Sequence, residues 1–179
     1  MLSDMTTIFE AANSSFLKAE TENILIGVSE RSLCGSLMLH LSKTLGATTY
    51  SDYFVDVEYN RNKEGKLKTI INGNEAPVTI CCDLIVHSRG TIIAQDNLIA
   101  VEMKRNTHPK SEKDKDKIRL KCLTKDSFDD LWSFDGTTLP DHVCRYVLGV
   151  FYELNIKDRK VTIHYYAKGK QFKQYLLTF

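Results

Sequence analysis

The chain has 179 residues and a net charge of +1, with 42% hydrophobic and 26% charged residues, enough for one domain with a hydrophobic core and ordinary for a globular protein. No apolar run approaches the ~20 residues a membrane-spanning helix needs, and the N-terminus (MLSDMTTIFEAANSS) carries Asp4 and Glu10 with no basic n-region, so it does not read as a signal peptide. Five cysteines, none in a CxxC, cannot all pair within one chain, and reduced thiols in the cytoplasm are the simple reading.

Charge is unevenly spread. From Lys104 to Lys125 there are nine Lys/Arg against three acids, a net +6 that leaves −5 for the remainder. Such a stripe is either an electrostatic footprint for a polyanion or a solvated helix face.

In chain order, residues 4–20 predict a weakly amphipathic helix. A stronger one follows at 30–45, with Ser29 as N-cap, a Val28/Leu33 staple and the stripe Leu33, Cys34, Leu37, Met38, Leu41, Leu45. Glu30 lies at the end of that buried face, either aimed at something or simply favourable near a helix N-terminus. Residues 53–59 predict a strand, 60–77 a turn-rich stretch, and 78–87 and 98–104 a pair of largely buried strands. Ser111 with Asp114 predicts a capping-box start to a basic helix at 112–124. Strands follow at 143–154 and 161–167, with a last one near 172–178. The order predicts an α/β sandwich with a central mixed sheet.

Two strands carry ionisable groups where apolar ones belong. Asp83 interrupts Ile80-Cys81-Cys82-Asp83-Leu84-Ile85-Val86, and Glu102 and Lys104 interrupt the run from Leu98. Alternation puts Glu102 and Lys104 on one face and Val101 and Met103 on the other. In a hairpin, Asp83 lies across from Glu102. Buried carboxylates need compensation worth several kcal/mol: either a salt bridge to Lys104 or a hard divalent cation held by two carboxylates, as Mg²⁺ prefers.

A strand with Asp, a connection, then a strand with Glu-x-Lys resembles the PD-(D/E)XK nuclease superfamily. The stretches Glu58-Tyr59-Asn60-Arg61, Asp83-Leu84-Ile85-Val86-His87, Arg89-Gly90-Thr91, Asn97 to Lys104, Asp116-Lys117-Ile118-Arg119-Leu120 and Tyr146 to Phe151, with Glu30 opening an early helix, are similar to a small bacterial branch of it. The resemblance implies a single domain over 1–179, with a restriction-endonuclease-like core at about 25–168 in the order α-β-β-β-α-β. It implies that Asp83 and Glu102 bind Mg²⁺ or Mn²⁺, that Glu30 reaches the same site directly or through water, and that Lys104 positions or helps deprotonate the attacking water. The reaction is then in-line phosphodiester hydrolysis, on DNA in preference to RNA, with a homodimer or protein partner open and a role in phage defence, mobile elements or repair. The chain departs from the pattern at Cys82, where the superfamily has Pro.

Arg61, Lys117 and Lys121 are candidate phosphate contacts. Glu58 either caps a strand end or lies near the metal. His87, four residues after Asp83 and so on the same strand face, reads as a hydrogen-bonded structural residue before a ligand or base near the site, Cys81 and Cys82 as core residues facing opposite ways, and Trp132 and Phe134 as packing residues that could stack a base. The competing class is a non-catalytic nucleic-acid-binding or assembly module that keeps the fold, and the third is a globular domain whose acid–lysine groups are merely salt-bridged.

Overall fold

The computed structural model describes residues 1–59, 69–71, 77–79, 81–127, 136–137 and 143–179, with backbone alone at 69–71 and 77–79. The expected turns at Gly65 and 72–74, together with Ile80, Arg61, Trp132 and Phe134, lie outside the described residues.

The first helix, α1 (Leu2–Leu25), is longer than its sequence signal at both ends. Met5, Ile8, Phe9, Ala12, Phe16 and Ile24 recur at helical spacing and are buried. It stops at Gly27, whose φ of +81° suits a residue without Cβ. Gly27 N–H donates to Ile24 C=O and Val28 N–H to Asn23 C=O, the double bond of a Schellman turn. The chain turns directly into α2 (Glu30–Gly46), where Ser29 Oγ accepts from Ser32 N–H as expected of the N-cap.

Eight strands follow among the described residues: β1 (Phe54–Val57), β2 (Thr69–Ile71), β3 (Pro77–Thr79), β4 (Leu84–His87), β5 (Asn97–Arg105), β6 (Leu148–Asn155), β7 (Lys160–Ala167) and β8 (Lys170–Thr178), with α3 (Lys110–Leu123) between β5 and β6. Six form a mixed sheet in the order β1-β4-β5-β6-β7-β8, while β2 and β3 form a separate antiparallel ribbon. Within the six, only β5–β6 is parallel, because α3 carries the chain back to the start edge. The α1–α2 pair buries one face against Leu84, Val86, Ile99, Val101 and Met103. Against the other face, α3 packs Leu120 and Leu123 on Ile85, Ala100 and Phe151. Gly149 permits this approach: a Cβ there would stand 3.0 Å from Thr124 Cγ2 and 3.2 Å from Tyr166 Cβ.

Four expectations need correction. The single strand over 78–87 is two, because β3 pairs with β2 and the chain changes sheets before β4. Asp83 therefore sits in a bend just ahead of β4 rather than inside a strand. The strand at 53–59 ends at Val57, since Glu58 has φ +50°. The helix at 112–124 starts earlier, at Lys110, with Pro109 as N-cap and no side-chain cap bond. Ser111 thus lies inside the helix and forms no capping box. Residues 143–147 are irregular and β6 begins at Leu148; Arg145 takes φ +62° just before it.

Candidate active site

The β4–β5 pairing is antiparallel with Leu84 opposite Val101, so one further step sets Asp83 opposite Glu102. Val101 and Met103 go into the α1–α2 core. Alternation turns Glu102 and Lys104 to the α3 side, as the strand pattern predicts.

Asp83 closes the gap left where β4 has not yet begun. Its Oδ2 accepts from Met103 N–H at 2.8 Å, and its backbone C=O accepts from Glu58 N–H at 3.2 Å. Lys104 Nζ stands 3.7 Å from Asp83 Oδ2 and 3.5 Å from Asp116 Oδ2. Glu102 is 1% exposed, and its Oε1 accepts from Arg119 Nη1 at 2.5 Å. The same Nη1 lies 3.1 Å from Asp116 Oδ1. Asp116 is 5% exposed, and its Oδ2 has no hydrogen-bond partner among the described residues. Three carboxyl groups thus face two cations, and the charges balance only while one of the three keeps its proton.

Burial dominates the electrostatics. It pushes the Glu102 carboxyl up to about 8, against the pull of Arg119 and with the push of Asp83 and Asp116. Burial likewise raises Asp116, although Lys104 and Arg119 oppose it. For Lys104, burial works to lower the ammonium, but Asp83 and Asp116 outweigh it and hold the group above its ordinary value. Arg119 is similarly held charged: burial disfavours the cation and Glu102 outweighs it.

Glu30 comes to the end of β5 from the first turn of α2, yet its Oε1 is already engaged. It accepts from Arg105 N–H at 2.8 Å and lies 2.9 Å from His108 Nε2. The Arg105 guanidinium reaches back to Gly27 C=O and Val28 C=O at 2.8 and 2.7 Å. The α1–α2 turn is therefore clamped to the strand that carries Glu102 and Lys104. Asp83, Glu102 and Lys104 come together in one cluster; Glu30 is held in the neighbouring clamp, near enough for its charge to help keep Lys104 protonated.

Among the smaller candidates, Glu58 pairs with Arg31 at 2.7 Å. His87 is buried with Nε2 2.9 Å from Asp56 Oδ2, which Arg89 also binds, as expected of a structural histidine. Cys82 is buried as a core residue, but Cys81 is exposed, because the chain has left β3 and not yet entered β4 at this point. Of the α3 cations, Lys113 binds Glu153 at 3.2 Å, Lys117 Nζ lies 4.8 Å from the Phe151 ring centre, and Lys121 is exposed.

Sequence reasoning left Asp116 and Arg119 out of the site. A signal existed: Asp116 shares a helical stripe with Leu120 and Leu123 (i, i+4, i+7), so an acid occupies a core-facing position on an otherwise basic helix. Among the described residues no group of three or more His, Cys, Asp and Glu side chains is arranged to hold a metal ion, and no helix is long and apolar enough to cross a membrane. What the cluster does offer a cation is hard oxygen donors and, in Glu102, a buried carboxyl whose proton a cation would replace. Comparison with protein-family models, with curated proteins and with solved structures finds no match to the chain.

Proposed function

We propose that the chain is a metal-dependent nuclease with a restriction-endonuclease-like core, formed by α2, β1, β4, β5, α3 and β6 in that order. It hydrolyses phosphodiester bonds, DNA in preference to RNA, in the reducing cytoplasm that its five free thiols suit. The observation that carries this reading is the buried acid cluster: Asp83, Glu102 and Asp116 against Lys104 and Arg119, with Glu102 fully buried.

A self-neutralised ion network is the competing account, since Lys104 and Arg119 already face all three acids. That account balances the charges only by keeping a proton on the buried Glu102 carboxyl, a proton that a divalent cation would replace. Asp83 and Glu102 are the residues that would hold Mg²⁺ or Mn²⁺. Two carboxylates with water and phosphate completing the shell suit Mg²⁺, which is seldom bound by a dedicated all-protein cage. When bound, the cation supplies Lewis acidity and lowers the pKa of coordinated water.

The chain's own residues do the rest. Lys104, held protonated by Asp83 and Asp116, presents a fixed positive charge to the phosphate and orients the attacking water. Asp83 keeps Lys104 in place and, through Met103 N–H, fixes the strand carrying Glu102. The Glu30–Arg105–His108 clamp holds the end of that strand.

The test is incubation of the pure chain with plasmid, linear DNA and RNA in Mg²⁺, Mn²⁺ or EDTA. Cleavage that requires the divalent ion and disappears in Asp83→Asn supports the reading. Cleavage that persists at wild-type rate in both Asp83→Asn and Glu102→Gln assigns the activity elsewhere.

A further inference from the structure

Arg119 is the basic residue of α3 that touches the cluster: its Nη1 bonds Glu102 and pairs with Asp116. The other two nitrogens of its guanidinium make no hydrogen bond among the described residues, and the side chain is 27% exposed. The cationic groups of Lys113 and Lys117 lie instead on Glu153 and the Phe151 ring. Glu102, the carboxylate that Arg119 holds, is also one of the two proposed for the cation. Arg119 Nη1 sits on Oε1 of that carboxylate, and a divalent ion bound to the same group would repel the guanidinium and weaken its hold there.

Resting on the nuclease reading, we propose that Arg119 is the phosphate-binding residue of the site, docked on Glu102 while no cation is present and turned to the substrate phosphate once a cation takes that carboxylate. Arginine suits the role because its planar fork can bind a phosphate through two parallel N–H donors while remaining charged. The helix keeps the residue in place through Leu120 and Leu123, buried one and four positions further on. Movement of the side chain alone exchanges its partners. The contact assigned from sequence to Lys117 and Lys121 passes to Arg119.

The assignment makes the contribution of Arg119 to binding conditional on metal, which a merely structural arginine is not. Fluorescence anisotropy with a labelled DNA duplex, and single-stranded DNA and RNA alongside, measures this in EDTA and in Ca²⁺ across a salt series. In Ca²⁺, Arg119→Ala should weaken binding about ten- to a hundred-fold and flatten the salt dependence by about one phosphate contact. In EDTA, where the guanidinium stays on Glu102, the loss should be several-fold smaller than in Ca²⁺. Arg119→Lys keeps the charge beside Glu102 and guards against misfolding; it should show the same conditional loss, smaller in size, because it lacks the fork. Equal losses with and without Ca²⁺, or no loss in either, overturn the assignment while leaving the nuclease reading intact. A wild-type chain that neither gains affinity in Ca²⁺ nor cleaves in Mg²⁺ overturns that reading, and this one with it.

Discussion

Replacing Glu102 with Gln tests the electrostatics of the cluster without reference to catalysis. Gln keeps the volume and an oxygen that can accept from Arg119 Nη1, so the charge is the main thing removed. In the metal-free chain the Glu102 carboxyl is raised from 4.5 to about 8, chiefly by burial. The raised value sets the sign. Below about 4.5 both folded and unfolded states are protonated and the contribution is fully present; between 4.5 and about 8 the unfolded chain gives up the proton first, so stability falls as pH rises. At about 1.4 kcal/mol per pH unit the loss over that window reaches about 5 kcal/mol at most. Even half of that, for a chain of this size, moves the melting midpoint by roughly 5 °C or more. Thermal melts in EDTA at half-unit steps from pH 4 to 9 should therefore show wild type losing ground to Glu102→Gln as pH rises, with the variant the more stable at pH 8.5. Asp116, raised in the same direction, is present in both proteins and drops out of the difference to first order. Adding Mg²⁺ should flatten the wild-type curve, because the cation replaces the proton, and leave the variant unmoved. Parallel curves for the two proteins across the whole range would refute the reasoning.

Asp83→Asn should abolish Mn²⁺ binding in a calorimetric titration while keeping an acceptor for Met103 N–H, so the fold survives; a retained wild-type affinity counts against Asp83 as a ligand. Lys104→Ala should leave Mn²⁺ affinity within a few-fold and lower turnover by about a hundred-fold or more, the scale of a lost transition-state contact; a change in KM alone would move Lys104 from catalysis to ground-state binding. Glu30→Ala leaves Arg105 N–H without its acceptor and His108 with Glu112 alone, and should cost about 1–3 kcal/mol in a urea melt with little change in metal affinity. If Glu30→Ala instead loses the cation and keeps its stability, Glu30 is a ligand and not a clamp.

Much of this was written locally. The stripe from Leu33 to Leu45 and the Ser29 cap place α2 because helical periodicity and capping act within a few residues. The alternation in 98–104 puts Glu102 and Lys104 on one face whatever the strand's neighbours are, since a two-residue period is a property of the extended backbone. The orphan acids in apolar runs marked Asp83 and Glu102 for the same reason: burial of charge is legible wherever the surrounding residues are plainly core. The ends and partners of strands were another matter. The run over 78–87 has uniform β character, so its division between two sheets depends on which distant segment, β2 or β5, offers unpaired backbone groups. Asp83 lies at that division, and its hydrogen bond to Met103 N–H is a consequence of pairing across 20 positions. The same holds for the acid–base partners. Arg119 and Glu102 are 17 positions apart and Arg105 and Glu30 are 75 apart; both acids had several cations within plausible reach. The parallel β5–β6 crossover selected Arg119 by pressing α3 onto the sheet at Gly149, and the Schellman turn selected Arg105 by bringing Glu30 to the strand end. Side-chain chemistry could be read one residue at a time, whereas the choice of counter-charge depended on the packing of helix against sheet, where separations of a few ångströms decide which ion pair forms.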